Sequence, residues 1–207
     1  MPKFKFYALK LCLLCIIVSI FQLIIPGFTN LFVLNKGAVY NYEYWRFISS
    51  IFLHGGLPHL LYNLFALALF GSILEKLIRE KKFLIVFFAS GIIANLIAVS
   101  FYNSSLGASG AIYGILGCLA IIRPLMMIWS FGFPMPMFIA AILWVGGGVL
   151  GIFMPSNVGD IAHLSGIGVG FLIGLVLREW KIVKKTLIRF PEKHMRAWEN
   201  EHMSRFF

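Results

Sequence analysis

Charge is what this sequence has least of. Only 13% of its 207 residues are charged, and eight of them are acidic. A soluble domain carries about a quarter charged residues, so an ordinary solvated surface is excluded. Cysteine is scarce too: Cys12, Cys15 and Cys118 all fall within apolar runs. They imply no disulfide framework, and despite the C-x-x-C spacing they read as small buried side chains. The chain has no internal repeat, no low-complexity segment and no polar stretch long enough for a separate soluble domain. Within the apolar runs the one acid is Glu75, at the end of a run, and no H-E-x-x-H occurs anywhere. Neither a buried aspartate pair nor that zinc motif is therefore on offer, and no metal or other cofactor is expected.

What is present is hydrocarbon: 60% of the residues are hydrophobic and the mean hydropathy is +0.89. Six apolar runs, roughly 8–26, 57–75, 83–102, 106–129, 134–154 and 161–177, are each long enough to be read as a membrane-crossing helix. The first follows a basic start but is too long for a signal peptide and has no cleavage site after it, so it reads as an uncleaved anchor. The expected architecture is an all-α polytopic membrane domain over residues 1–178, followed by a basic tail, 179–207.

The net charge of +10 is topological. Sixteen of the eighteen basic residues lie at or before the start of the first run, between runs two and three, near the end of run four, or from Arg178 onward; only Lys36 and Arg46 fall elsewhere. The positive-inside rule then puts both termini in the cytoplasm, and a nucleic-acid partner is not implied. The longest connection, about 27–57 on the outer side, is too apolar for a solvated loop. Tyr40, Tyr42, Tyr44, Trp45 and Phe47 suit the headgroup level, which predicts an interfacial structure half sunk in the outer leaflet. The tail mixes basics with Trp180, Ile182, Val183, Leu187, Ile188 and Phe190 and suits an anionic cytoplasmic leaflet.

Polar residues inside apolar runs are costly and mostly functional. Run two opens with His59 and Asn63, four apart on one helix face. Run four contains Gly107-Ala108-Ser109-Gly110, with Tyr113 one turn further on, and run six has His163 near its start. With runs two, four and six all starting on the outer side, these residues share one depth. Gly110, Gly114 and Gly117 form one small-residue stripe and Gly166, Gly170 and Gly174 another, and such faces let membrane helices approach closely. If the two faces meet, Ser109 comes within reach of His163. A serine hydroxyl becomes a nucleophile when a neighbouring base takes its proton. Backbone N–H groups at the Ser109–Gly110 helix start, with His59 and Asn63, are candidate oxyanion donors. Asp160 stands at the mouth of run six and reads as a helix cap, leaving a Ser–His dyad rather than a triad. Taken singly, Ser109 could bond back to its own helix, and His59–Asn63 could be an interhelical clasp; a zinc site using His54, His59 and His163 is a further rival.

These residues together resemble the rhomboid intramembrane serine proteases, over essentially the whole six-run core. The G-x-S-G is Gly107 to Gly110; the A-H-x-x-G-x-x-x-G runs from Ala162 through His163 and Gly166 to Gly170; the H-x4-H-x3-N is His54, His59 and Asn63. The resemblance implies a rhomboid-like bundle of six transmembrane helices, Ser109 as nucleophile, His163 as base, and His59 and Asn63 as the oxyanion pair. It further implies that Tyr113 packs on the catalytic imidazole, that His54 supports the site, that Trp45, Arg46 and Glu75 are structural, and that Trp144 lines a lateral gate for substrate. Substrates would be single-pass membrane proteins cut near the outer face of a prokaryotic plasma membrane, within the lipid bilayer. The alternative is an inactive relative that binds transmembrane helices without cutting them, although such relatives commonly lose the serine or the histidine.

Overall fold

The structure, a computed structural model, describes residues 5–153 and 159–187, with side chains through Arg178. It is built almost wholly of helices. Helix α1 (Tyr7–Ile24) is followed by a connection with structure of its own: α2 (Phe28–Phe32), the two-residue strand β1 (Leu34–Asn35), α3 (Lys36–Tyr40), α4 (Arg46–Ser49) and a 3-10 turn, Ser50–Phe52. A long helix then runs from Leu57 to Ile78, made of α5 (Leu57–Ala66), a π turn (Leu67–Gly71) and α6 (Ser72–Ile78). It is followed by α7 (Glu80–Phe101), β2 (Ser104–Ser105), α8 (Ser109–Ile122), the hairpin strands β3 (Met127–Ser130) and β4 (Phe133–Pro136), α9 (Met137–Ile152) and α10 (Asp160–Leu187).

Among the described residues four helices are long and apolar enough to cross a membrane: Tyr7–Ile24, Leu57–Ile78, Glu80–Phe101 and Asp160–Arg178. The expected fourth and fifth spans are shorter than the sequence suggested. Ser109–Ile122 and Met137–Ile152 are apolar, but residues 123–136 between them turn back on themselves as an antiparallel hairpin, with Met127 opposite Pro136 and Ser130 opposite Phe133. Apolarity alone does not separate helix from strand. Here the separation comes from Pro124, Pro134 and Pro136, which a helix interior does not accommodate, and from Phe131-Gly132, both at positive φ, at the tip. The span expected to end at 177 instead continues as helix to Leu187. The rest of the basic tail, with His194 and His202, lies outside the described residues.

Helix α8 is the centre of the bundle. Every residue from Gly110 to Ala120 is buried except Tyr113, and α10 and α7 pack along it. The buried polar groups act as fasteners. The Glu75 carboxylate is buried at the end of the second long helix and accepts the Tyr7 and Ala8 N–H groups at 3.0 Å each. It satisfies two of the donors that a helix start leaves unpaired and ties α1 to α6. Arg46 is buried as well; it donates to the carbonyls of Asn30 and Val33 and pairs with Glu43, which holds the connection between α1 and α5 in shape. Tyr40, Tyr42, Tyr44 and Trp45 are exposed on that connection, as an aromatic belt requires.

Candidate active site

The small-residue stripes meet. A Cβ on Gly166 would overlap the carbonyl of Gly110, and one on Gly170 that of Gly114. A Cβ on Gly174 would lie 2.9 Å from Cβ of Ile121. At Gly166 and Gly170 no side chain separates α10 from α8, so the two backbones touch there. Ser109, the first residue of α8, and His163, in the first turn of α10, are thereby brought together with Ser109 Oγ 2.8 Å from His163 Nε2. On its other side the imidazole lies against Tyr113, the rings stacked at 4.3 Å with 10° between their planes. A stacked ring one helical turn from Ser109 leaves the imidazole little freedom to swing away.

The second long helix supplies the facing wall. His59 and Asn63 are one turn apart on α5, and Asn63 Nδ2 donates to the His59 carbonyl at 3.0 Å. The His59 ring accepts the Gly55 N–H at Nδ1, 3.3 Å away, and lies directly on Gly107. A Cβ at 107 would sit 2.8 Å from His59 Cε1 and 2.9 Å from Nε2, and Gly107 has φ +112°, a conformation open to glycine and few others. The first glycine of G-x-S-G is therefore fixed both by its backbone and by the ring it touches. Gly110 faces α7, where a Cβ would come within 2.6 Å of Ala94 Cβ.

These groups border one cavity of about 840 Å³, lined by His59, Asn63, Gly107, Ser109, Tyr113 and His163 among others, Phe70 and Trp144 included. Phe70 and Trp144 meet edge to face at 6.4 Å between centroids. His54 is not against Ser109. It is buried beside His59, ring centroids 5.3 Å apart, with Nδ1 3.2 Å from the Phe52 carbonyl. Its backbone is held by Gln22 of α1, which accepts the His54 N–H and donates to the His54 carbonyl. Burial, then the neighbouring His59, pushes the His54 imidazole down to about 4. Among the described residues no three His, Cys, Asp or Glu side chains are gathered to hold a metal ion. Trp45, Arg46 and Glu75 stand apart from the cavity, in the roles described above. Asp160 opens α10 as its first helical residue, where a carboxylate suits the helix dipole, and its oxygens lie against Gly151 of α9.

Sequence reasoning passed over a second polar group that shapes the site. Asn95, buried within α7, donates from Nδ2 to the Phe47 carbonyl at 2.9 Å and to Ser50 Oγ at 3.0 Å, and accepts from Ser105 Oγ at 2.8 Å. The Ser50 carbonyl in turn accepts the Gly107 N–H at 2.9 Å, and β1 pairs with β2 beside it. The loop before Ser109 is thus moored to the connection after α1 through the buried Asn95 amide, the Gly107–Ser50 backbone bond and the β1–β2 pair. Tyr102 adds a mooring for α10: its hydroxyl accepts the Ile161 N–H at 3.1 Å, two residues before His163. Asn95 was legible by the rule that singled out His59 and Asn63, a polar side chain inside an apolar run; Ser50 and Ser105 lie in connections, where polarity carries no signal, and Tyr102 is the last residue of its run, where a tyrosine is commonplace.

Comparison with known proteins gives the family. The Rhomboid domain family matches residues 41–180. The chain is 36% identical over 141 residues to YdcA of Bacillus subtilis, covering 67% of this chain and 69% of that protein. It is 33% identical over 140 residues to rhomboid protease GluP of the same organism, 65% of this chain but 26% of the relative, and 31% identical over 144 residues to RHOMBOID-like protein 4 of Arabidopsis thaliana, 69% of this chain but 36% of the relative. The shared part is thus only about a quarter to a third of the latter two proteins. The family match over 41–180 takes in the second long helix, α7, α8, α9 and the described turns of α10 that carry the cavity. With its apolar helices and its glycine-seamed α8–α10 pair, this chain is a multi-pass integral membrane protein and belongs to the rhomboid family.

Proposed function

We propose that the protein is an intramembrane serine endopeptidase that cuts transmembrane or juxtamembrane segments of single-pass membrane proteins through an acyl-enzyme on Ser109. The observation that carries this reading is the 2.8 Å approach of Ser109 Oγ to His163 Nε2, under the Tyr113 ring and open to the cavity. Ser109 Oγ attacks the scissile carbonyl carbon as its proton passes to His163 Nε2. The carbonyl oxygen becomes an oxyanion, which the N–H groups at the start of α8 stabilise together with the His59 ring and the second N–H of Asn63; such preorganised donors are worth about 3–4 kcal/mol each in comparable sites. His163 then gives the proton to the departing amine, and a water repeats the sequence to release the acyl group and restore Ser109. The charge pattern supports a site open to the outer face of a prokaryotic plasma membrane, with both termini in the cytoplasm.

A fluorophosphonate probe and a model single-pass substrate test the reading, with the cut mapped by mass spectrometry. Wild type should be labelled and should cleave, and Ser109→Ala and His163→Ala should do neither. Asp160→Asn should keep most of the activity, because the acid–base work is assigned to a dyad; near-total loss would show that a carboxylate partner is required. A wild-type protein that binds the substrate helix yet neither labels nor cuts would instead be an inactive, helix-binding relative.

A further inference from the structure

The hairpin β3–β4 has an unusual surface for a connection that leaves the bundle. Residues 124–137, PLMMIWSFGFPMPM, contain no charged side chain. One face of the hairpin is spoken for, since Ile128 and Met135 are buried in the bundle core. The other presents Met127 and Trp129, with Phe131 and Phe133 at the tip; Trp129 is 72% exposed and Phe131 59%. The α6–α7 junction offers a contrast. His59 places the start of α5 at the Ser109 level, so this junction lies at the opposite end, as the hairpin does, and it carries Lys76, Arg79, Lys81 and Lys82. Chain that meets water at this end is charged; the hairpin is not.

Length points the same way. Helix α9 has 16 residues, about 24 Å at 1.5 Å per residue, against a hydrocarbon core of about 30 Å. Its exposed face, including Phe138, Ile139, Ile142, Leu143 and Val149, is apolar and continues without a break into the hairpin. Backbone satisfaction allows the hairpin to complete the missing length at the boundary. The ladder pairs the strands internally, and the Met137 and Phe138 N–H groups at the start of α9 donate to the Met126 and Pro124 carbonyls. Its outer edges still carry unpaired groups, which hydrocarbon does not tolerate. A depth at which the side chains reach acyl chains while the edges reach headgroups meets both conditions.

We propose that the 127–136 hairpin is a lipid-docking element that seats its Met127 and Trp129 face, together with Phe131 and Phe133 at its tip, at the headgroup–acyl boundary of the leaflet opposite the Ser109 end. The partner is phospholipid: the acyl chain near the glycerol for the side chains, with Arg123, exposed at the foot of the hairpin, beside the phosphates. This holds whether or not the protein cuts peptides.

Full-length protein in phosphatidylcholine–phosphatidylglycerol liposomes tests it. The fluorescence of wild type minus that of Trp129→Phe isolates the Trp129 signal. Lipids brominated near the glycerol should remove most of that signal, lipids brominated near the chain terminus should remove less, and aqueous iodide should have little effect. The Trp129→Phe, Phe131→Trp double variant moves the reporter to the tip and should give the same order, which covers a local disturbance by the first substitution. Quenching by iodide and by neither bromolipid, at both positions, would overturn the proposal. So would bromolipid quenching that appears only after residues 188–207 are removed, because the face would then be covered by the chain's own tail.

Discussion

Gly166→Ala is the substitution that most directly probes how the site is assembled. The added methyl would stand 2.9 Å from the carbonyl carbon of Gly110 and 3.3 Å from its Cα, with the oxygen closer still. Both obstacles are backbone of a central helix, so neither can swing aside as a side chain would. Ordinary contact needs about 3.4–4 Å, and α10 must move from α8 by about 1 Å near Ser109. Ser109 Oγ and His163 Nε2, 2.8 Å apart, would then separate beyond hydrogen-bond reach. A misplacement of about 1 Å costs on the order of 100-fold in rate, about 2.7 kcal/mol. Turnover of a single-pass substrate in proteoliposomes should therefore fall about 100-fold, with KM little changed because the cavity walls on α5 are untouched. Fluorophosphonate labelling should slow in parallel. Gly168→Ala is the control on the same helix, since a Cβ there meets nothing within 4 Å; it should leave both readouts alone. A folded Gly166→Ala protein with wild-type turnover would refute the claim that backbone contact between α8 and α10 sets the dyad.

Other fasteners give separate predictions. Asn95→Ala strips a partner from the Phe47 carbonyl and from the Ser50 and Ser105 hydroxyls, at about 1–3 kcal/mol for an orphaned buried group; the thermal midpoint should drop and turnover with it, and an unchanged midpoint would count against the mooring. Glu75→Ala removes two charge-assisted bonds to the start of α1, worth about 1.5–3 kcal/mol apiece; the midpoint should fall while fluorophosphonate labelling at low temperature persists. His54 gives a pH signature. Its folded value lies near 4 against an ordinary 6.5, so the unfolded chain binds the extra proton first and stability declines as pH falls from 6.5 toward 4. His54→Gln should flatten that part of the pH–stability curve; an unaltered curve would assign the dependence to another group.

How much of this was legible depended on whether a residue's meaning was local. Ser109, His163, His59 and Asn63 could be read because each is a polar side chain where polarity is costly, and because alternating helix direction sets their depth without any knowledge of packing. The glycine stripes were equally readable, since spacings of three and four on a helix make a face. The hairpin was not: 123–136 is as apolar as a helix core, and what broke the helix was a set of prolines whose neighbours looked like any buried segment. The Asn95 network escaped for the complementary reason. Its partners are a carbonyl and two serine hydroxyls in connections 45 and 10 residues away in the chain, and only the fold reveals that they meet.

The same physics explains why the fasteners are polar at all. In lipid, apolar side chains gain nothing by leaving solvent for one another, so helix association rests on close backbone contact and on hydrogen bonds. Four of the polar groups described here, three buried and Tyr102 half-buried, bond to backbone of a different element: Glu75 to the first turn of α1, Arg46 to Asn30 and Val33, Asn95 to Phe47, Tyr102 to Ile161. Such bonds fix position along the helix axis, which glycine seams alone leave free to slide. The seam brings α8 and α10 together sideways, while Tyr102 and Asn95 hold the start of α10 and the loop before α8 at their heights. Ser109 and His163 need both constraints at once, because a pair in contact but one turn out of register would share no proton. Weakening the axial moorings should therefore harm turnover before it harms the helix pair itself. In Tyr102→Phe, activity should fall while disulfide crosslinking of a cysteine pair across the α8–α10 seam stays efficient; crosslinking lost before activity would reverse that order and sink this division of labour.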